Sequence, residues 1–286
     1  MDKILVVIPY WAPGAQGHEL ELAVTGWRKH FKEDYHIVIV GDCPSCGKGI
    51  LQIDEKAFEG LDAEKFAQEF AKYEGVIRIE QVSKPAEVTP FDDITYIECP
   101  QVAPVQGQYL PHLDHVNKFR KVREAFPDSK GFIYTCDDIY PTADFTLEDV
   151  LQPKEPKQGF YFALTHLKST TPDWYSDKQK TGELCHREHL PVRNWVCHLP
   201  VYYEWDKLFE VYDKYNCDHE SHIVENIYFN IMYPGDPHAV SEIMYHDEVK
   251  TSRPGIRPIG TVKWVSNANC GWSQELEDIL RKHYGL

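Results

Sequence analysis

The stretch FIYTCDDIYP, Phe132–Pro141, carries an apolar run straight into two adjacent carboxylates, Asp137 and Asp138, and then into a turn at Pro141-Thr142. Two acids at the carboxyl end of a buried strand are costly unless a cation or water meets them. That end of a parallel sheet is also where open α/β proteins bind ligands. Carboxylates together with substrate phosphates are the usual ligand set of magnesium or manganese, so the pair points to a divalent-metal site for Mn or Mg. The plain alternative is a solvated turn that happens to be acidic. A second cluster lies just upstream in DHVNKFRKV, where Asn117 and Lys118 follow Asp114 by three and four residues. One helical turn then lets all three face the same edge, a set suited to ribose, base and phosphate contacts. Against this stands an ordinary charged helix face.

Two histidines join the candidates. His198 in CHLP follows a short apolar segment and precedes a proline, which places it at a strand end or turn, where it could hold a metal or a phosphate. His246 in YHDE is the second candidate metal ligand. Chance placement is easy among 14 histidines. Cys43 and Cys46 form a lone CxxC in CPSCGKG, without the second pair that a structural zinc site needs, and read as a loop.

The elements that must position these residues follow from hydrophobic period. Lys3–Pro9 and His36–Gly41 are β-branched strands, and between them Leu20, Val24, Trp27 and Phe31 make one helix face, giving a βαβ unit. Leu61–Tyr73 is expected as a helix and Gly75–Glu80 as a strand. Val82–Gly107 is irregular, with a short strand at Ile94–Ile97. Leu113–Phe126 is a helix that feeds the central strand Gly131–Tyr134. Gly159–Leu164 is read as a strand, Lys168–Arg193 as polar loop, Tyr203–Tyr215 and His219–Tyr233 as helices, and Val262–Val265 as a last strand. Ser273 caps a C-terminal helix through Leu280. This is one α/β domain, a mostly parallel central sheet flanked by helices, with an insertion-rich C-terminal half.

The chain of 286 residues is 42% hydrophobic, enough for a sizeable core. Its net charge of −15 argues against nucleic acid as a partner. The apolar run at Ile4–Ile8 is too short for a signal-peptide core, and no segment is long enough for a transmembrane helix, so a cytoplasmic location is expected. The eight cysteines accordingly read as free thiols.

VVIPYW, ELAVTGWRKHF followed by HIVIVGDCP, the Asn-Lys helix and FIYTCDDIYP occur in an order that resembles glycosyltransferases with the GT-A fold. The blocks YLPHLDHVNKF and FIYTCDDIYP also resemble stealth-type capsular polysaccharide phosphotransferases. The likeness covers the first half and thins past residue 165 to RNWVCHLPVYYEW and HIVENIYFN. It implies a Rossmann-like GT-A catalytic domain, with residues 1–142 binding the nucleotide-sugar donor and 143–286 the acceptor. In such enzymes a DxD element holds a divalent metal against the donor diphosphate. Here the pair is adjacent, not Asp-x-Asp, so Asp138 is expected on the metal and Asp137 on a ribose or around the metal ligands. The resemblance further places Pro9, Tyr10 and Asp42 at the nucleobase, and makes Glu225 the base that takes the acceptor proton, with Glu220 behind it. Arg253, Arg257 and Lys263 are cations that could steady the leaving diphosphate.

Three activities follow as expectations. The first is metal-dependent transfer of a sugar from a nucleotide-sugar to a glycan or lipid-linked acceptor, in surface polysaccharide biosynthesis. The others are sugar-phosphate transfer of the stealth type, and nucleotide or glycan binding without catalysis. Trp174, Tyr175, Trp195 and Tyr202 are possible platforms for a saccharide acceptor, whereas Trp27 and Trp205 read as core.

Overall fold

The protein is described here by a computed structural model covering residues 3–42, 93–102, 111–156, 172–234, 239–250, 257–268 and 271–286, with only the backbone for 172–175. The expected helix at Leu61–Tyr73, the strands Gly75–Glu80 and Gly159–Leu164, Cys43, Cys46 and Arg253 lie outside the described residues.

The first β-branched run forms β1 (Ile4–Tyr10), followed by α1 (Glu19–His30) and β2 (Tyr35–Gly41). Next come β3 (Thr95–Glu98), α2 (Pro111–Ala125) and β4 (Gly131–Tyr134). These strands and β7 (Val201–Glu204) make a five-stranded sheet in the order β3-β2-β1-β4-β7. The β3-β2, β2-β1 and β1-β4 pairings are parallel and β4-β7 is antiparallel. The protein is thus mixed α/β, with a mostly parallel central sheet between helices, compatible with a Rossmann-like fold.

The strands read as unbroken apolar runs because both faces of the sheet are covered. Leu5, Val7, Val38, Val40 and Phe132 face one core with α2, α5 (Trp205–Lys214) and α6 (Val224–Met232). Val6, Ile8, Ile37, Ile39 and Ile133 face another with Leu20, Val24 and Trp27 of α1. Each such buried side chain contributes roughly 1.5–3 kcal/mol. Phe132 stacks on Trp205 with ring centroids 4.1 Å apart, which fixes α5 over the centre of the sheet.

Because the chain lays β2 and β3 on one side of β1 and β4 on the other, the strand order reverses between β1 and β4, the kind of switch point at which open α/β sheets bind ligands. Just past that point the chain leaves the main sheet for a second one. Its three strands, in the order β5-β10-β9, are β5 (Ile139–Pro141), β10 (Trp264–Asn267) and β9 (His246–Val249), and the short elements α3 (Leu147–Leu151), β6 (Lys154–Glu155) and β8 (Val240–Ser241) fall between β5 and β9 in the chain. Asp137 and Asp138 therefore form the corner between two sheets. The C-terminal helix α7 (Gln274–Tyr284) packs behind this corner, its N-terminus capped by Ser273 Oγ, which accepts from Leu276 N–H at 3.2 Å.

Several expectations from hydrophobic period are corrected. The segment read as polar loop over Lys168–Arg193 contains a helix, α4 (Pro172–Arg187). Its buried positions include Asp177, Lys178 and Thr181 beside Leu184 and Cys185, so polar residues occupy the inward face and hide the period. The helix expected at Tyr203 begins at Trp205, because Val201–Glu204 is a strand paired with β4. The helix expected from His219 begins at Val224, and the last strand runs Trp264–Asn267. Trp195, considered as a saccharide platform, is 2% exposed and belongs to the core. Among the described residues no helix is long and apolar enough to cross a membrane.

Candidate functional site

At the end of β4 the chain turns tightly: Ile139 N–H donates to the Cys136 carbonyl at 3.3 Å, leaving Asp137 and Asp138 at the centre of the turn. Facing it is a γ-turn in which Leu199 N–H donates to the Cys197 carbonyl at 2.8 Å, with His198 at its apex. His198 Nε2 lies 3.1 Å from Asp138 Oδ1. That oxygen has no well-aligned hydrogen bond, so the contact is ionic. Cys136 Sγ, an Asp138 oxygen and a His198 ring nitrogen all lie within 4.8 Å of one another, and all three residues are half-buried.

Helix α6 holds the His198 loop in place. Asn226 Oδ1 accepts from Trp195 N–H at 2.6 Å, and Asn230 Oδ1 accepts from Arg193 N–H and Trp195 Nε1–H, both at 3.2 Å. Asn230 also donates through Nδ2 to the Arg193 carbonyl at 3.0 Å. The residue just before the first of these hooks, Glu225, takes a hydrogen bond from the Cys197 backbone, while its Oε1 has no partner. Glu225, Cys136, His198, His115, Tyr134 and Tyr203 line one cavity of about 180 Å³.

Electrostatics set these groups apart. Burial pushes the Glu225 carboxyl up to about 8, with the Cys197 backbone and His198 opposing the shift. For His198 burial disfavours the charge, but the Asp138 carboxylate and the contact with Cys136 overcome it, and the imidazole is held well above its ordinary value. Burial also raises the Cys136 thiol. On the same turn as Asp138, Asp137 lies well above the usual carboxylate range, first through burial and then through the charges of Asp138 and Glu19.

The β1 side of the switch point is more completely satisfied. Asp42 Oδ2 accepts from Ala12 N–H at 2.9 Å, tying the end of β2 to the loop after β1. Gly41, at φ +136°, is required there, because a Cβ would meet the Tyr10 carbonyl oxygen. Glu19 Oε1 accepts from Asn267 Nδ2 at 2.8 Å and Oε2 from Gln16 N–H at 2.7 Å. Burial still lifts Glu19 to about 7. Burial and then the charges of Asp137, Asp42 and Glu19 raise Tyr10 to about 12.

The remaining candidates divide. Pro9 pairs in register with Val40, inside the sheet behind Tyr10. Asp114 and Lys118 pair with each other at 2.7 Å with side chains almost fully buried, and Asn117 Nδ2 donates to Cys99 Sγ at 3.2 Å. His246 is buried, with Nε2 2.7 Å from Ser266 Oγ, and lies outside the metal-capable cluster. Burial drives its imidazole down to about 3. Arg257 Nε sits 3.6 Å from Asp247, and Lys263 Nζ 2.6 Å from Asp149. Glu220, exposed, contacts His222 at 3.4 Å. Cys136 is the residue that sequence reasoning missed. Its signal was present as a Cys-x-Asp spacing, Cys136 to Asp138, at the strand end.

Comparison with protein-family models and with curated proteins finds no match for this chain. The donor set therefore has to speak for the metal. Asp138 and His198 offer an oxygen and a nitrogen, a set open to a divalent transition metal. Magnesium demands a near-octahedral shell of oxygens and fits an imidazole and a thiol poorly.

Proposed function

We propose that this chain is a divalent-metal-dependent glycosyltransferase of the GT-A class. It moves a sugar from a nucleotide-sugar donor to a glycan or lipid-linked acceptor, in the cytoplasmic stage of surface polysaccharide synthesis. The observation that carries the reading is that Asp138 meets His198 at the carboxyl end of β4, with Glu225, whose Oε1 has no partner, in the cavity beside His198. Open α/β sheets take their ligands at that end, where the strand order reverses.

Each residue has a role in this reading. Asp138 and His198 hold the divalent metal, which when bound would neutralise charge on the donor diphosphate. Asp42, fixed by the Ala12 N–H, and Tyr10 line the nucleoside end. Asp137, whose carboxyl burial holds well above the usual carboxylate range, contacts a ribose hydroxyl. Glu225 accepts the acceptor hydroxyl's proton, and a value of about 8 places it close to the operating pH, where a general base is most effective. The cavity beside Glu225, walled by Tyr134 and Tyr203, shields that proton transfer from bulk water.

Calorimetric titration of nucleoside diphosphates and nucleotide-sugars, with and without manganese, tests the reading on the wild type and Asp138→Ala. Metal-dependent binding of one nucleotide, lost in the variant, is the expected result. Absence of nucleotide binding under both conditions overturns it. Product analysis then separates the activities: a diphosphate donor that yields a nucleoside diphosphate marks sugar transfer, and one that yields a monophosphate marks sugar-phosphate transfer.

A further inference from the structure

The Cys136 thiol gives the cluster a chemistry that manganese and magnesium do not use. Sulfur selects soft or borderline ions, imidazole suits zinc, copper, iron and nickel, and a single carboxylate is compatible with all of them. The geometry points to a zinc site formed by Cys136, Asp138 and His198, with its fourth position open to the cavity that Glu225 lines. The same residues hold the metal in the function proposed above, but the zinc preference is testable without any nucleotide.

Three features of the cluster support this. First, the donors already converge: all lie within 4.8 Å of one another, and a tetrahedral zinc shell needs neighbouring donors about 3.3–3.8 Å apart. The contraction needed is about 1 Å, within reach of side chains on two facing turns. Second, the turns that carry them are fixed from behind, Cys136 and Asp138 by the Ile139–Cys136 bond and His198 by the Leu199–Cys197 bond and the Asn226 and Asn230 hooks. The Tyr134 hydroxyl, 3.2 Å from Sγ, can donate to a thiolate and steady it. Third, two buried oxygens around the cluster lack hydrogen bonds, Oδ1 of Asp138 and Oε1 of Glu225. The first meets only His198, itself a donor of the same cluster, and the second can accept from a molecule occupying the open position. Three protein donors with one vacant position, beside a carboxylate, is the plan of zinc sites that act on a bound molecule and not merely on the fold.

Cobalt reports directly on sulfur ligation. The full chain, stripped with chelator and carrying Cys43→Ser and Cys46→Ser so that the CxxC thiols do not compete, is titrated with cobalt and then zinc. Expected is one equivalent of cobalt with a sulfur-to-metal charge-transfer band in the near ultraviolet, displaced by zinc. In Cys136→Ser the band disappears and zinc affinity, read by competition with a coloured chelator, falls on the order of tenfold or more, while manganese affinity is unchanged. Asp138→Asn keeps the thiol and lowers zinc affinity with the band weakened, which guards against a folding artefact in the first variant. Equal zinc affinity in wild type and Cys136→Ser, a cobalt complex without the band, or no stoichiometric zinc binding would each overturn the proposal. Nucleotide binding with manganese would survive any of these results, so the two readings fail separately.

Discussion

Two acid–base pairs in this molecule each join an aspartate to a basic side chain, and they differ in everything that matters for function. Asp114 and Lys118 meet at 2.7 Å with side chains 1% and 3% exposed, and the second Asp114 oxygen accepts from Val102 N–H at 2.9 Å. Asp138 and His198 meet at 3.1 Å with side chains 21% and 35% exposed, and Oδ1 of Asp138 forms no aligned hydrogen bond. The first pair is closed, its partners spent on each other and on the backbone. The second is open, half-solvated and next to a thiol and a buried carboxyl. A closed pair costs desolvation energy and returns it only as structure, whereas an open pair keeps lone pairs for a ligand.

The largest effect expected is on the closed pair. Asp114→Ala leaves the Lys118 ammonium buried alone and should lower stability by about 3–5 kcal/mol in urea unfolding. Asp114→Leu with Lys118→Met should recover most of that loss. If the double variant folds well but loses nucleotide binding, the pair belongs to the site and the comparison breaks.

For the open pair the order of effects reverses. Asp138→Asn should reduce turnover on the order of 10²–10³-fold, in initial-rate assays with manganese, while its melting temperature stays close to wild type. A stability loss as large as that of Asp114→Ala would make Asp138 structural.

Glu225→Gln sharpens the distinction through pH. The folded-state value of about 8 lies above the ordinary 4.5, so between these limits the folded protein keeps a proton that the unfolded chain releases. Stability from this group therefore falls as pH rises from 4.5 through about 8. The wild type should lose more melting temperature than Glu225→Gln between pH 5 and pH 8, by about a few degrees. Turnover in the variant should drop on the order of 10²-fold, as expected for removal of a general base.

The smallest effect is a null result. His246 is committed to Ser266, so His246→Gln should leave metal affinity unchanged in the chelator competition assay. A clear loss would extend the open site to β9.

Much of the scaffold was legible because it is local. Val6, Ile8, Ile37, Ile39 and Ile133 announce strands buried on both faces, and Leu20, Val24 and Trp27 announce the helix that covers one face. Legibility failed where the inward face was polar, as at Asp177 and Thr181 of α4, and where a strand passed directly into a helix at Glu204-Trp205. In the site, Asp138 and His198 were each visible as isolated residues with a reason to bind a cation. Cys136 was hidden, because a cysteine at the end of an apolar strand looks like one more core residue. Trp195 misled in the opposite sense, since its indole serves to anchor the His198 loop on Asn230.

The sequence by itself determined the acidic end of β4 and the elements around it, since apolar period and turn residues act over a few positions and need no distant partner. The meeting of Asp138 with His198, sixty residues further on, was decided only in three dimensions. It depends on β7 pairing antiparallel with β4, Tyr134 against Val201, and on two asparagines of α6 holding the loop in between. Register and long-range hydrogen bonds of that kind are set by the packed whole, which is why the metal-capable trio and the orphaned Glu225 oxygen emerge only from the fold.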